Sequence, residues 1–270
     1  MKKKLTNFFL LAAGLIILGA VSTALRTVAL LTAFDTNIGY FDEGAAITQI
    51  DRIVLIIAVV YGAIITATIK KNIAFTSAKV PTAISISFSF ASAFAFVMAA
   101  ALFGIICLTD NSPLNLAVLV SLILSAAYFI YRGVRRTDPS GSPLNLMALF
   151  PAAACWLIIV LEMFNMYIPT NAPEKINLTF ALMMAALSTI EIAKSDAVSA
   201  SPRLLLFSMY SSCLLCAYFA IPGLIAITAN VIKHPQYMIY YFIAITMLLF
   251  NAGALFDQLR LIRLNNNNEE

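Results

Sequence analysis

Pro81-Thr-Ala-Ile-Ser-Ile-Ser-Phe-Ser-Phe-Ala-Ser-Ala-Phe-Ala-Phe-Val-Met-Ala-Ala-Ala-Leu-Phe-Gly-Ile-Ile-Cys-Leu108 runs for 28 residues without one charged side chain. A helix crosses the hydrocarbon of a bilayer in about 20 such residues, whereas a barrel strand needs only about 10. Ser85, Ser87 and Ser89 alternate with apolar neighbours as a strand would, but the run is far too long for one strand. Read as a helix, it places Ser85, Ser89 and Ser92 on one narrow stripe of small residues, suited to close packing on a neighbouring helix.

Seven further runs follow the same pattern, so the sequence predicts eight helices at residues 5–33, 51–69, 81–108, 114–131, 144–168, 176–193, 203–228 and 237–262. Charges, prolines and Asn/Asp/Gly clusters bound them, as in Thr109-Asp-Asn-Ser-Pro113 and Asp138-Pro-Ser-Gly-Ser-Pro143. Composition agrees. Apolar residues make up 61% of the 270 and charged residues 11%, with a mean hydropathy of +0.92. A soluble domain runs nearer about half apolar and about a quarter charged. The expected fold class is therefore all-α, a polytopic transmembrane bundle forming one domain over residues 1–264, with a polar, disordered tail at 265–270.

Lys and Arg set the orientation. One side of an eight-pass chain collects Lys2, Lys3, Lys4, Lys70, Lys71, Lys79, Arg132, Arg135, Arg136, Lys194, Arg203, Arg260 and Arg263. The other collects Lys175 and Lys233, with Arg26 and Arg52 near that side inside or at the ends of helices. Both termini are expected in the cytoplasm and the loop at 34–49 outside, in a plasma or inner membrane. A single Cys placed at Gly44 of a Cys-free chain should then react with an impermeant reagent from outside, and one at Gly141 should not. The reverse pattern inverts the topology. The other reading of the N-terminus, a signal peptide with Lys2-Lys3-Lys4 as its basic region and cleavage near Ser22-Thr23-Ala24, is disfavoured because the apolar run continues to Phe34. Ser112-Pro-Leu-Asn-Leu116 recurs as Ser142-Pro-Leu-Asn-Leu146, but neither copy continues into its helix.

Ionisable groups at membrane depth are the first functional candidates, because each costs several kcal/mol unless it is paired or reaches the interface. Arg26 and Glu162 each lie 18 residues beyond Phe8 and Leu144. At about 1.5 Å per residue they reach the same outer-leaflet height, so either each snorkels to the headgroups by itself, or both face the bundle interior and interact directly or through water, as a helix-to-helix lock or a ligand or ion site, provided that their helices are neighbours. Glu191 lies in the inner leaflet, with Lys194 one turn on to neutralise it, and Asp257 with Arg260 repeats that spacing. Asn165, Asn251 beside Gly253, and Trp156 add polar handles at depth. Pro151 and Pro222-Gly223 are candidate helix breaks of the kind that line binding cavities. The acidic loop with Asp35, Asp42 and Glu43, and Asp51 just after it, reads as a solvated segment or as a lid or cation funnel over an outer cavity, with Tyr40-Phe41 at the interface.

Catalytic signatures are weak. Cys213-Leu-Leu-Cys216 sits inside an apolar helix, where thiols serve as small packing groups and not as metal or redox ligands. His234 is the single histidine, and no zinc, nucleophile-elbow or phosphate-loop motif is present. No cofactor, metal or nucleic-acid partner is expected; the partners are the bilayer and a small solute or another membrane subunit. The leading expectation is a small-solute transporter or the membrane component of one. A non-catalytic sensor, assembly or scaffold protein is the alternative, and an intramembrane enzyme comes third.

Overall fold

Backbone amides in hydrocarbon find partners only within a helix or across a closed sheet, and this chain takes the helical solution. The structure, a computed structural model, describes residues 2–35, 40–42, 44–69, 82–134, 143–165, 172–197, 201–232 and 236–267. Gly141, Lys70, Lys71, Lys79, Arg135, Arg136, Lys233, His234 and Glu43 lie outside them, as do residues 268–270 of the expected tail. The elements are α1 (Lys2–Thr32), β1 (Phe34–Asp35), β2 (Tyr40–Phe41), α2 (Ala46–Ala67), α3 (Ala83–Thr109), α4 (Pro113–Val134), a 3-10 turn (Pro143–Ala148), α5 (Leu149–Phe164), α6 (Pro173–Ala197), α7 (Pro202–Thr228) and α8 (Gln236–Asn267). All eight α-helices contain spans long and apolar enough to cross a membrane. The fold is an all-α polytopic bundle.

Several helix ends differ from the sequence expectation, and the differences matter for the site. α2 begins at Ala46, so Asp51 stands in its second turn and not at its border. α6 begins at Pro173, which suits a first helical position because its missing N–H has no helical partner there anyway. Glu174 and Lys175 therefore belong to its first turn. The run at 144–168 opens as the 3-10 turn and its α-helix closes at Phe164, with Asn165 as C-cap. Pro151 accordingly lies in the first turn of α5, where proline is tolerated, and is not a mid-helix break. Pro222 is likewise enclosed by a continuous α7. α8 continues through Asn267, past the start of the expected polar tail, since an established helix gains one hydrogen bond for each residue added.

α7 and α8 form the axis: 72% and 67% of their spanning residues are buried, against 22% for α2. α7 packs against α1, α2, α6 and α8, and α8 also packs against α3. The serine stripe of α3 faces α8 as its spacing suggests, with Ser85, Ser89 and Ser92 all buried and Ser92 Oγ donating to the Thr246 carbonyl at 3.2 Å. Around this axis every helix exposes large apolar side chains, among them Ile16, Ile56, Phe94, Ile123, Trp156, Phe180, Ile225 and Phe256. Such a surface is a liability in water and costs nothing against lipid. A groove of about 460 Å³ with almost wholly apolar walls opens between α1, α7 and α8, lined by Leu15, Gly19, Thr23, Ala217, Ile221 and Ala252.

Candidate functional site: a buried charge cluster beneath a hairpin

Polar side chains in the middle of the bundle mostly bond back to their own helix, as Ser89 does to Ser85 and Thr189 to Ala185. The end that carries the α1–α2 connection is different. Six helices bring ionisable or phenolic groups together there.

α1 supplies Arg26 from the buried stripe that also holds Ser22, Ala29 and Leu30. α2 supplies Asp51 from the face of Thr48, Ala58 and Gly62. The first turn of α6 supplies Glu174 and Lys175, and the last turn of α5 supplies Glu162. α7 adds Tyr218, and the first turns of α8 add Tyr237, Tyr240 and Tyr241. All of these are at most 6% exposed. The β1–β2 hairpin, registered Phe34 against Phe41 and Asp35 against Tyr40, folds over them.

Arg26 is the hub. Its guanidinium pairs with the Glu174 carboxylate through Nη2 and lies 3.8 Å from Asp51 Oδ2 through Nη1. The Phe41 ring caps it at 4.4 Å, and the Tyr218 ring lies at 5.4 Å, so aromatic faces cover what the carboxylates leave. The Tyr218 hydroxyl donates to Asp51 Oδ2 at 2.6 Å, and the Tyr241 hydroxyl to Glu174 Oε2 at 3.1 Å. Glu174 gains again from the positive end of α6, where an acidic side chain is favoured. Lys175, disfavoured at that end, donates at 3.0 Å to the Asn165 carbonyl at the negative end of α5. Glu162 accepts a long bond from the Tyr237 hydroxyl at 3.4 Å, with the Tyr240 hydroxyl within reach of the same carboxyl. Ring contacts join the two halves: Tyr237 lies 6.0 Å from Tyr241, which lies 4.7 Å from Phe219.

The direct Arg26–Glu162 pair does not form among the described residues. Equal height is not adjacency: α1 lies against α2 and α7, whereas α5 lies against α4 and α6. Arg26 takes Glu174 and Asp51 instead, and Glu162 takes the α8 tyrosines. Of the other candidates, Asn165 joins the cluster through its carbonyl and through weak contacts of 3.4 and 3.5 Å to Glu162. Glu191 lies at the opposite end, 2.6 Å from Lys194, the partner its spacing suggested. Asp257, also at that end, accepts from the Thr82 amide at 3.0 Å and so anchors the start of α3. Asn251 sits at mid-depth, donating to Ser212 Oγ at 3.0 Å and the Met247 carbonyl at 2.8 Å, while its Oδ1 has no partner among the described residues. Trp156 is lipid-facing at 46% exposure. Gly223 serves packing: a Cβ there would overlap the Tyr241 ring, so the glycine is what lets that ring lie on α7 and reach Glu174.

Sequence reasoning missed Glu174 and the four tyrosines, and it read Asp51 only with the acidic loop and Lys175 only as an outer-side charge. A usable signal was present in Tyr237, Tyr240 and Tyr241, which fall at the depth of Glu162 and repeat at helical spacing.

Cys213 and Cys216 are free and buried, with their thiols at 3.8 and 3.7 Å from the Leu248 and Ala181 carbonyls. No group of three His, Cys, Asp or Glu side chains suited to a metal occurs among the described residues. Replacing both cysteines with Ala should leave folding unchanged and remove no metal, as elemental analysis of both proteins will check.

Fold and site together define a class: a multi-pass α-helical membrane protein with a buried ion-pair network at one end of the bundle. Compared with protein-family models, curated proteins and solved structures, the chain matches none.

Proposed function

We propose that this chain is a small-solute transporter, or the membrane component of one, of a plasma or inner membrane, and that the cluster around Arg26 is its solute-handling site. One observation carries the reading: five ionisable side chains, Arg26, Asp51, Glu162, Glu174 and Lys175, are buried together at one end of the bundle, whereas Glu191 and Asp257 are the buried ionisable groups at the other end among the described residues. Burying each ion costs several kcal/mol, and an apolar core of the same volume would hold the helices at least as well. Charge retained at that cost, at membrane depth, points to handling of a polar or charged solute. The lysine and arginine distribution puts the hairpin on the outer face, so Phe34 and Phe41 act as a lid that the solute displaces.

The test is electrical. Purified protein in proteoliposomes on a solid-supported membrane is challenged with small organic cations, amino acids, organic acids and neutral polyols. At least one class should give a saturable charge displacement that Glu174→Gln abolishes. Silence across all classes from a folded protein overturns the proposal and favours the scaffold reading.

A further inference from the structure

The ligand class of the site follows from its charge count, and this inference rests on the reading just given. Among the described residues the cluster holds three carboxyl groups, Asp51, Glu162 and Glu174, and two cations, Arg26 and Lys175, so with every one of these ionised it carries one excess negative charge. Arg52 follows Asp51 in sequence but is exposed. A net charge in a medium of low dielectric is costly, and one positive charge from outside removes the cost.

Two unused oxygens show where that charge goes. Asp51 is fully buried, and although its Oδ2 holds Tyr218 and faces Arg26, its Oδ1 has no hydrogen-bond partner among the described residues. Thr48, one turn earlier on the same buried face of α2, is 1% exposed and its Oγ1 is equally unpartnered. Elsewhere in the bundle a helical threonine bonds back four residues, as Thr27, Thr66, Thr179 and Thr246 do. Thr48 stands in the first turn of α2, so the residue four before it, Gly44, precedes the helix and offers no aligned carbonyl. Its hydroxyl is left over by position. A carboxylate oxygen and a hydroxyl oxygen about one turn apart on one buried helix face, both without a partner among the described residues, are hard oxygen donors of the kind a hard cation prefers. The groups that face Asp51 are Arg26 from α1, with Glu174 of α6 beyond it, and Tyr218 from α7.

We propose that Asp51 Oδ1 and Thr48 Oγ1 bind one monovalent cation, a sodium ion or a proton, which neutralises the cluster. A sodium ion uses both oxygens; a proton needs only the carboxylate.

The full chain in detergent distinguishes them. Its melting temperature is measured in sodium, potassium and choline chloride at equal ionic strength and several pH values, together with proton release into unbuffered solution on adding sodium. A sodium site gives saturable, sodium-selective stabilisation whose half-saturating concentration rises about tenfold for each unit by which pH is lowered through the range where the proton competes. Thr48→Val should weaken the sodium response about tenfold or more and keep the proton response, and Asp51→Asn should abolish both. A proton site gives no sodium selectivity but a pH dependence that Asp51→Asn removes. Glu191→Gln, at the other end, should behave as wild type. The inference is overturned if the wild type responds to neither ion, or if Asp51→Asn responds as the wild type does. Should Asp51→Asn fail to fold, an unchanged sodium response in Thr48→Val overturns the sodium site, and the absence of any pH-dependent proton uptake in the wild type overturns the proton site. Cation binding without solute current would sink the transport reading alone; solute current that ignores Asp51 would sink this one alone.

Discussion

Arg26→Leu is expected to destabilise the folded protein by about 3–5 kcal/mol, the largest effect of any single substitution considered, because it leaves two buried carboxylates without their cation. Glu174 loses its ion pair and Asp51 keeps only the Tyr218 hydroxyl on one of its oxygens. Leucine fills much of the space, so the loss is electrostatic and not a cavity. The diagnostic is a double-mutant cycle followed by unfolding in mixed micelles. Glu174→Gln alone takes from Arg26 its ion-pair partner, whereas Arg26→Leu with Glu174→Gln removes both members of the pair. The double variant should be more stable than the sum of the two single losses by about 1–3 kcal/mol. The same cycle with Glu162→Gln should show the smaller coupling, because Glu162 reaches Arg26 only through tyrosine rings. Arg26→Lys should not rescue: an ammonium lacks the planar fork that reaches Glu174 and Asp51 together under the Phe41 ring. Additive losses for Arg26 and Glu174 would show that the pair is not what holds this end of the bundle.

Gly223→Val should be the next most damaging change. A Cβ at this position already overlaps the Tyr241 ring, and that ring cannot swing aside cheaply. Its hydroxyl is held by Glu174 at 3.1 Å, and its faces meet Phe219 and Tyr237. Overpacking of this kind costs about 1–3 kcal/mol or more, and displacement of Tyr241 also strips a donor from Glu174. Tyr241→Ala in the Gly223→Val background makes room for the valine. Packing should then recover while the loss at Glu174 remains, so the combined variant should match Tyr241→Ala alone in stability. Tyr241→Phe isolates the hydrogen bond, at about 1–3 kcal/mol for the buried carboxylate oxygen left without its donor. If Gly223→Val is as stable as the wild type, the tyrosine does not hold its place on α7 and the cluster is looser than its geometry.

The two changes act on one device seen from different sides. Three tyrosines lie on glycines along successive contacts, Tyr61 on Gly14, Tyr210 on Gly62 and Tyr241 on Gly223. The first two send their hydroxyls to backbone carbonyls of Leu10 and Ala58 at 2.8 and 2.9 Å. Each joins a pair of helices, α1 to α2, α2 to α7 and α7 to α8. Only the last points its hydroxyl at a charge, so the same packing rule that closes the bundle also places a donor in the site.

The number of helices and the class of fold were legible in the sequence because they depend on local properties. Twenty or so apolar residues in a row have one stable answer in lipid, and 81–108 needed no partner to declare itself. The pairing of Glu191 with Lys194 was legible too, being one helical turn apart. Arg26 and Glu162 were legible as costly residues at one depth, since depth is only a count of residues along a helix. Their partners were not. Which carboxylate meets Arg26 depends on which helices are neighbours and how each is rotated, and α1 turned out to lie beside α2 and α7. Asp51 and Glu174 were hidden for a related reason: a charge looks like the end of an apolar run until a cation from another helix is known to neutralise it, and that cation is placed by packing alone.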